Sequence, residues 1–441
     1  MGRLPLTEAA AAAGLALITA PTPCTAAQRE TANVLAPAWD LQARRLMNLG
    51  RLGDARAVID RRLAEAPGDV QARFLKGMVA VAEGNHQHAI SVFRSILIDQ
   101  PGAARVRLEL ARSFYLAKDY GNALRQFQFA LAGDPPAAVA ANIQQYIAAL
   151  RQAKSFSYSF GIALAPDTNL NTGSSAREVS LFGLPFDLSE EARQRSGVGL
   201  AIDAGGEWSP PIGDGKRLRV GLSAQRKEYS GSDFDDMIVS AYAGPRFVTG
   251  KWDLSLLGTG YKRWFGSSPY NQAIGARLEA THYLSGRLSI SGALSSQWVD
   301  YRHEKERNGR IHAVNAAAFY ALTASSSGVV KAGLSRQTAR TDAYSNWSAF
   351  AAIGYFRDLP LGFSAYVEPS FSIARYDEEL FGFGRKRSDN TRSLLVTLLN
   401  RHLVLRRFTP RISYTYTRQS SSIPLYDFSR NRWEIGLTTA F

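Results

Sequence analysis

The sequence has 441 residues, enough for two or three domains, and its 45% hydrophobic and 20% charged content excludes an intrinsically disordered polymer. The 18 Tyr and 22 Phe residues favour strands and membrane interfaces. The formal net charge of +14 indicates contact with phosphate-rich partners or simple solubility. No basic helix or base-reading motif accompanies this charge, so nucleic acid is not an expected partner.

Residues 1–27 resemble a secretory signal peptide, which predicts export of the chain. Arg3 supplies the positive charge, residues 9–20 the apolar core, and residues 25–27 small cleavage positions. The single cysteine, Cys24, lies in this segment, so the exported chain is expected to contain neither disulfides nor a cysteine-based metal site. No later run approaches the roughly 20 apolar residues of a spanning helix. A membrane role would therefore depend on strands.

Residues 28–153 are predicted to form a domain of helical repeats with a period of 34 residues. One class of repeated position is proline, one is small and two are large and apolar. The repeated sets are Pro67, Pro101 and Pro135; Ala55, Ala89 and Ala123; Ile59, Phe93 and Phe127; and Leu63, Leu97 and Leu131. Steps of four residues place these side chains on one helical face, and proline ends the helix. The pattern matches the second helix of a tetratricopeptide repeat and predicts an all-α solenoid, with residues 137–153 as a capping helix.

Stacked repeats of this kind generally bind protein segments on a concave face built mainly from first helices. The residues predicted to line this groove are Asp40, Arg44, Gln71, Phe74, Met78, Arg105, Leu108, Arg112 and Tyr115. Routine packing or solvent exposure is the simpler interpretation of any single member. His86 and His88 are close in sequence, but no Asp or Glu joins them, and we interpret them as surface residues rather than metal ligands.

From about Lys154 onward, apolar residues alternate with Ser, Gly and charged residues, which is the pattern of a half-buried strand. The predicted strands lie near 156–164, 198–204, 218–225, 237–247, 253–264, 272–283, 287–299, 310–322, 329–338, 347–357, 363–374, 390–400, 408–418 and 430–441. Strands of about 11 residues, tilted by about 40°, span about 28 Å, the height of an outer-membrane band. Residues 154–441 are therefore predicted to form an antiparallel transmembrane β-barrel of about 14 strands. A soluble β-sandwich is the alternative.

The final stretch, residues 430–441, is predicted to close the barrel by pairing with residues 155–164, because closure leaves no strand edge unpaired in lipid. Its Glu434, Gly436 and terminal Phe441 resemble the signal read by the outer-membrane barrel-assembly machinery. An even strand number returns the C-terminus to the periplasm, where the helical domain is also expected.

Charged residues share the polar strand face with small residues, which favours a wet lumen, because an Arg facing lipid at midplane costs ~2–4 kcal/mol. The residues predicted in the lumen are Asp203, Glu207, Arg219, Lys227, Arg277, Glu279 and Glu368. The longer connections are predicted at 165–195, 229–236, 265–271, 300–309, 339–346, 375–388 and 419–429. The first of these is the best candidate to fold inward. Basic clusters at 302–310 and 385–387 could contact lipopolysaccharide phosphates, although solvated loop charge is the simpler interpretation.

No enzymatic motif or cofactor site is recognisable in the sequence. A Gly-x-Ser-x-Gly nucleophile elbow is absent. His303 and Glu304 begin like a zinc-protease motif, but the second histidine is missing. Asp235 and Asp236 resemble the paired carboxylates of barrel proteases, and a solvated loop tip is the favoured interpretation. We expect no catalytic residue, no metal and no cofactor.

The barrel opens with Phe160-Gly-Ile-Ala-Leu-Ala-Pro, which leads into a turn containing Asp167, Thr168, Asn169 and Asn171. This opening, directly after the helical repeats, resembles the start of the barrel domain in the surface lipoprotein assembly modulator (Slam) family. The resemblance covers nearly the whole exported chain. It implies an outer-membrane translocon that moves client lipoproteins, or related secreted ligand-capturing proteins, to the cell surface. It also implies that the periplasmic repeats capture the client or an accompanying chaperone.

Two alternatives share this architecture. A polysaccharide exporter also joins periplasmic helical repeats to a barrel, but such barrels tend to carry a long run of lumen charge matched to the polymer. The mixed signs of the predicted lumen residues argue mildly against it. A plain porin with an assembly domain is the other alternative, and a large steady conductance would favour it.

Overall fold

The computed structural model describes residues 37–153, 155–190, 192–403 and 408–439. The predicted signal peptide, Cys24 and Phe441 lie outside the described residues, so their predicted roles stay predictions. The chain divides after Leu75 into two compact units, and each is described by itself.

The described part of the chain contains seven α-helices that precede the strands. They are α1 (Ala38–Asn48), α2 (Leu52–Glu65), α3 (Val70–Ala82), α4 (His86–Asp99), α5 (Ala104–Leu116), α6 (Tyr120–Ala132) and α7 (Ala137–Ala153). In the first unit, Ala43, Ala55 and Ile59 are fully buried between α1 and α2. In the second unit, the repeat positions Phe93 and Phe127 are fully buried as well.

Local residue choices explain where these helices begin and how they pack. Asn85 precedes α4, and its side-chain oxygen accepts a hydrogen bond from the backbone N–H of His88. Asp119 caps α6 in the same way through Asn122. Gly77 in α3 faces the ring of Phe93, and a Cβ at this position would overlap that ring. The small position of the repeat therefore permits close contact between neighbouring helices.

In the part of the chain that the structure describes, fourteen long antiparallel strands follow the helices and form one closed barrel. They are β1 (Phe156–Asp167), β2 (Gly197–Trp208), β3 (Lys216–Tyr229), β4 (Asp236–Thr249), β5 (Trp252–Phe265), β6 (Ser268–Tyr283), β7 (Leu288–Tyr301), β8 (Gly309–Thr323), β9 (Ser326–Ala339), β10 (Asn346–Asp358), β11 (Phe363–Leu380), β12 (Arg385–Asn400), β13 (Thr409–Ser421) and β14 (Phe428–Thr438). Each strand pairs with its sequence neighbours, and β14 pairs with β1, for example at Leu164 opposite Ile435. The predicted fold class is confirmed.

Short elements decorate the connections. Two small strands, Glu178–Leu181 and Leu184–Asp187, form a hairpin in the loop between β1 and β2, and Pro211–Gly213 pairs with the start of β3. Single 3₁₀ turns occur at Lys305–Arg307, Asp342–Tyr344, Pro360–Gly362 and Pro424–Tyr426. We call the barrel end that carries the β1–β2 loop the long-loop end, and the opposite end the short-turn end.

The two faces of the strands differ sharply. Large apolar side chains such as Ile274, Leu164 and Ile353 are 72%, 58% and 62% exposed on the outer face. The polar residues between them point inward and contact one another across the lumen, as in the ion pairs described below. This alternation is typical of a barrel with a lipid-facing exterior.

Two loops are shorter than predicted. The predicted loop 265–271 is a turn of Gly266 and Ser267, both with positive φ, as a tight hairpin requires. The predicted loop 375–388 shrinks to residues 381–384, because β11 and β12 continue pairing as far as Leu380 and Arg385. The end of β11 carries acidic residues and the start of β12 carries basic ones, so opposite charges face each other across the pair, as at Glu379 and Lys386. The polar composition of both ends favoured a loop in the prediction.

Candidate functional site

The four residues predicted as the first-loop motif lie at the seam where β1 meets β14. Asp167 is buried at the end of β1, and both its oxygens accept hydrogen bonds from Nε of Arg430 at 3.0 and 2.9 Å. The same carboxylate accepts from the backbone N–H of Asn169 at 2.9 Å. Thr168 exchanges two hydrogen bonds with Asn431, one through its own N–H and one through its hydroxyl. The motif thus ties the first strand to the last.

The remaining motif residues fold the first loop back onto this seam. The Asn169 side chain is fully buried and contacts the backbone of Gly173 at 2.8 and 2.9 Å and the carbonyl of Ser429 at 3.1 Å. Asn171 donates to the carbonyl of Arg193 at 2.6 Å. Side-chain amides replace a regular turn here, because each offers both a donor and an acceptor to the backbone.

The described members of the predicted assembly signal also lie at the seam. Gly436 is opposite Ala163, and a Cβ on it would overlap the carbonyl oxygen of Ile162. Glu434 accepts from Arg411 of β13 at 3.1 Å. Arg411 also lies 3.8 Å from the predicted lumen residue Asp203. Whether the assembly machinery reads these residues stays a prediction.

The structure brings four of the predicted lumen residues into one cluster. Arg219 of β3 contacts Glu207 of β2 at 2.8 Å and Glu279 of β6 at 2.6 Å. Arg277 lies 3.3 Å from Glu279, and the Tyr242 hydroxyl donates to Glu207. Because Glu207 lies on β2 and Glu279 on β6, Arg219 connects carboxylates at the two ends of a five-strand stretch of the wall. This cluster, which we call the lumen belt, therefore crosses part of the lumen.

The other predicted lumen residues lie elsewhere. Glu368 pairs with Lys331 at 2.6 Å and accepts from the Tyr366 hydroxyl. Lys227 is opposite Asp236 in the ladder between β3 and β4. Lumen-facing charge is therefore mixed in sign and mostly paired, and it forms no single-sign track.

The predicted groove residues occupy varied environments. In the first unit, Asp40 is 5% exposed and accepts hydrogen bonds from Arg44 and from Gln71 at 3.1 Å, and Phe74 is also 5% exposed. The side chains of Asp40 and Phe74 are therefore buried rather than exposed on a groove surface. The structure places the other members at the surface or half-buried on α3 and α5. They are Met78, Arg105, Leu108, Arg112 and Tyr115.

Two of these groove residues are held by neighbours. Arg112 lies 3.2 Å from Glu109 one turn away, and the Tyr115 ring meets the edge of Tyr146 on α7 with centroids 5.2 Å apart. The capping helix therefore stiffens this surface. Client binding by any of the groove residues stays a prediction.

A contact that sequence reasoning missed joins α5 to the short-turn end of the barrel. Arg107 is fully buried and donates to Asp358 at the end of β10 at 2.6 Å, to Gln126 at 2.8 Å and to the carbonyl of Pro101. Arg401 also lies 3.2 Å from Asp358. We call this cluster the helix–barrel joint. Burial lowers the pKa of Arg107, and the Asp358 carboxylate opposes that effect.

Further contacts extend the joint around the barrel rim. Phe129 of α6 stacks on Phe356 of β10 with ring centroids 6.0 Å apart. Arg287, in the turn between β6 and β7, donates to the carbonyl of Leu131 at 3.0 Å. Arg151 of α7 lies 3.7 Å from the ring centroid of Tyr283. Helices α5, α6 and α7 therefore pack directly on the barrel.

The other candidate chemistry takes structural roles. Asp235 accepts from the backbone N–H of Tyr229 at 2.8 Å, whereas Asp236 pairs with Arg263 at 2.8 Å. These two carboxylates therefore have separate partners. Over the described ranges, no group of three His, Cys, Asp or Glu residues could hold a metal ion. Over the same ranges, no helix has the length and apolar character to cross a membrane.

Comparison with known proteins identifies the family that shares this architecture. The model of the Surface lipoprotein assembly modifier family matches residues 156–441, and a tetratricopeptide-repeat model matches residues 41–104. Surface lipoprotein assembly modifier 1 of Haemophilus influenzae is 24% identical over 81% of this chain and 75% of its own length. Its namesake in Neisseria meningitidis is 22% identical over 82% of this chain and 74% of its own length. The Surface lipoprotein assembly modifier of Moraxella catarrhalis is 27% identical over 58% of this chain and 52% of its own length. The chain belongs to the Surface lipoprotein assembly modifier family.

Proposed function

We propose that this protein is an outer-membrane translocon that brings client lipoproteins, or related secreted proteins, to the cell surface without an enzymatic step of its own. The observation that carries this proposal is the family match over the entire barrel, together with the tetratricopeptide-repeat match that precedes it and the packing of α5 on one end of the barrel. The names of the relatives refer to surface lipoproteins, which gives the class of client.

The orientation follows from the loops. Outer-membrane barrels have short periplasmic turns and long external loops. Helices α5, α6 and α7 pack on the short-turn end, and this supports a periplasmic location for the repeats, where a lipoprotein awaiting export would meet them. The long-loop end then faces outward, and lipopolysaccharide is a proposed partner of its basic clusters at 302–310 and 385–387. The barrel-assembly machinery and periplasmic chaperones are further proposed partners.

The charge of the lumen favours protein passage over polysaccharide export. The lumen belt and the Lys331–Glu368 pair contain both signs, so they offer no continuous track for a charged polymer. No nucleotide site is recognisable in the sequence, so we attribute the driving force to folding of the client outside the cell.

The test compares surface lipoproteins in the source bacterium with and without this gene. Intact cells are labelled with a membrane-impermeant biotin reagent, and labelled lipoproteins are identified by mass spectrometry. We expect at least one lipoprotein to lose its labelling in the deletion strain and to regain it with the intact gene. A variant lacking residues 28–153 is expected to insert its barrel but to restore nothing. Unchanged lipoprotein labelling would refute the proposal, and loss of surface polysaccharide alone would favour the exporter.

A further inference from the structure

A small cavity lies inside the helix–barrel joint. Its volume is about 50 Å³, and it is enclosed by α4, α5 and α6 on one side and by the ends of β10, β11 and β12 on the other. Charged side chains in its wall are Arg94, Arg125, Arg401 and Asp358, and the rings of Phe129 and Phe356 form part of the remainder. Polar and apolar groups thus converge on one enclosed space, as they do in ligand sites.

Arginine side chains outnumber carboxylates in this wall. Its carboxylate, Asp358, is already engaged by Arg107 at 2.6 Å, by Arg401 at 3.2 Å and by the Ser364 hydroxyl at 2.9 Å. Asp119, outside the wall, acts on Arg94 and Arg125 and raises the pKa of each. Within the described part of the chain, Nε of Arg401 is buried without a hydrogen-bond partner. A buried donor of this kind is costly unless something accepts from it.

Two charged neighbours act on the pKa of Arg94 in opposite directions. Burial lowers the pKa of the Arg94 guanidinium, Asp119 raises it, and the neighbouring Arg401 lowers it further. A bound anion would relieve this repulsion. Arg125 lines the cavity and is also exposed on α6.

The dimensions restrict the anion to a small group. One water needs roughly 10–15 Å³ of such space, so the cavity holds about three to five non-hydrogen atoms. A carboxylate on a short aliphatic stem fits this limit. The apolar wall suits the methylene groups, and the guanidinium groups suit the charged end.

We propose that this cavity binds the carboxylate of a Glu or Asp side chain on a protein segment. The inference rests on the proposed function, since a client or its chaperone would supply the segment. Such binding would make α4, α5 and α6 prefer acidic segments, at a cavity whose wall also includes the ends of β10, β11 and β12. Free phosphate is the competing occupant.

The test uses the full chain in detergent micelles with ¹⁵N-labelled arginine. The blocked tripeptide Gly-Glu-Gly is titrated while the side-chain Nε signals are followed by NMR, and an Arg401→Lys variant identifies the Arg401 signal. We expect a saturable shift of that signal with the Glu peptide and none with Gly-Gln-Gly. The Arg125→Gln variant should weaken binding by roughly tenfold. Arg61→Gln, which removes one exposed charge from α2, is the matched control and should leave the affinity unchanged.

Several outcomes would overturn the proposal. These are an equal response to the Gln peptide, equal weakening by Arg61→Gln, or tighter binding of inorganic phosphate than of the Glu peptide. Normal lipoprotein display without peptide binding would overturn this site alone. Peptide binding with unchanged lipoprotein labelling in the deletion strain would instead overturn the proposed function and leave the cavity as an anion site.

Discussion

The two ends of the barrel are held by different kinds of contact. At the long-loop end, Asp167 and its neighbours form a continuous motif whose polar side chains contact the last strand. At the short-turn end, Arg107 and Asp358 are 251 positions apart and form an ion pair with side chains 0% and 3% exposed. A buried pair contributes little net stability when intact but is costly to break, because one charge is left without a partner. Substitutions at the seam between β1 and β14 should therefore cost less unfolding free energy than substitutions at the helix–barrel joint.

The largest effect is expected from Asp358→Ala. This change leaves Arg107 and Arg401 buried without their carboxylate, which should cost about 3–5 kcal/mol of unfolding free energy. Urea unfolding followed by far-UV circular dichroism measures the loss in the helices, and heat-dependent gel mobility reports whether the barrel stays folded. Asp134→Asn is the control, because this partner of Arg287 is 84% exposed and asparagine tolerates its positive φ, so the change should cost less than about 1 kcal/mol. Similar losses in the two variants would contradict the distinction between buried and exposed pairs.

A smaller effect is expected at the seam from Asp167→Ala. The change removes charge-assisted hydrogen bonds from Arg430 and from the backbone N–H of Asn169. The Arg430 side chain is 20% exposed, so water can replace its lost partner. The expected loss is about 2 kcal/mol, measured as a lower urea midpoint of barrel unfolding together with faster hydrogen exchange at Gly173. Arg418→Ala breaks a more exposed pair with Asp427 and should change neither. A loss larger than that of Asp358→Ala would reverse the order of the two ends.

Between the two ends, Arg219→Gln tests the lumen belt. The side chains of Arg219, Glu207 and Glu279 are 21%, 22% and 28% exposed, so water screens the two remaining carboxylates and the stability cost should be about 1 kcal/mol. The net charge of the belt becomes more negative, so any current through the barrel should become more cation-selective. The reversal potential in a planar bilayer under a salt gradient measures this. Arg226→Gln lies on the same strand but on its outer face and should leave selectivity unchanged.

The barrel and its seam could be predicted because their signals are local or periodic. The alternation of side chains locates each strand, with the largest errors at the facing ends of β11 and β12, and the terminal strand pairs with the first, as at Leu164 and Ile435. The 34-residue period places Phe93 and Phe127 in the helical core. The joint could not be predicted, because Arg107 looks like one more helix arginine and Asp358 like one more turn residue. Only the folded chain brings this charge pair together and creates the cavity beside it.

The smallest effect is expected in the first unit, where a half-exposed ion pair contrasts with the buried joint. Burial raises the pKa of Asp69, but the backbone N–H of Ala72 and the guanidinium of Arg62 lower it more, so it lies below its ordinary value of 3.8. The carboxylate therefore stabilises the folded state fully above pH 3.8, and this contribution is lost as the pH falls through the folded pKa. Arg62 is 35% exposed, so the contribution should be below about 1 kcal/mol. Asp69→Asn retains the cap but lacks the charge, and its stability should approach that of the unmodified chain as the pH falls. Acid titrations followed by circular dichroism should show this convergence for Asp69→Asn. A constant difference at every pH would mean that Asp69 acts as a cap alone and that charge has no part in holding this unit.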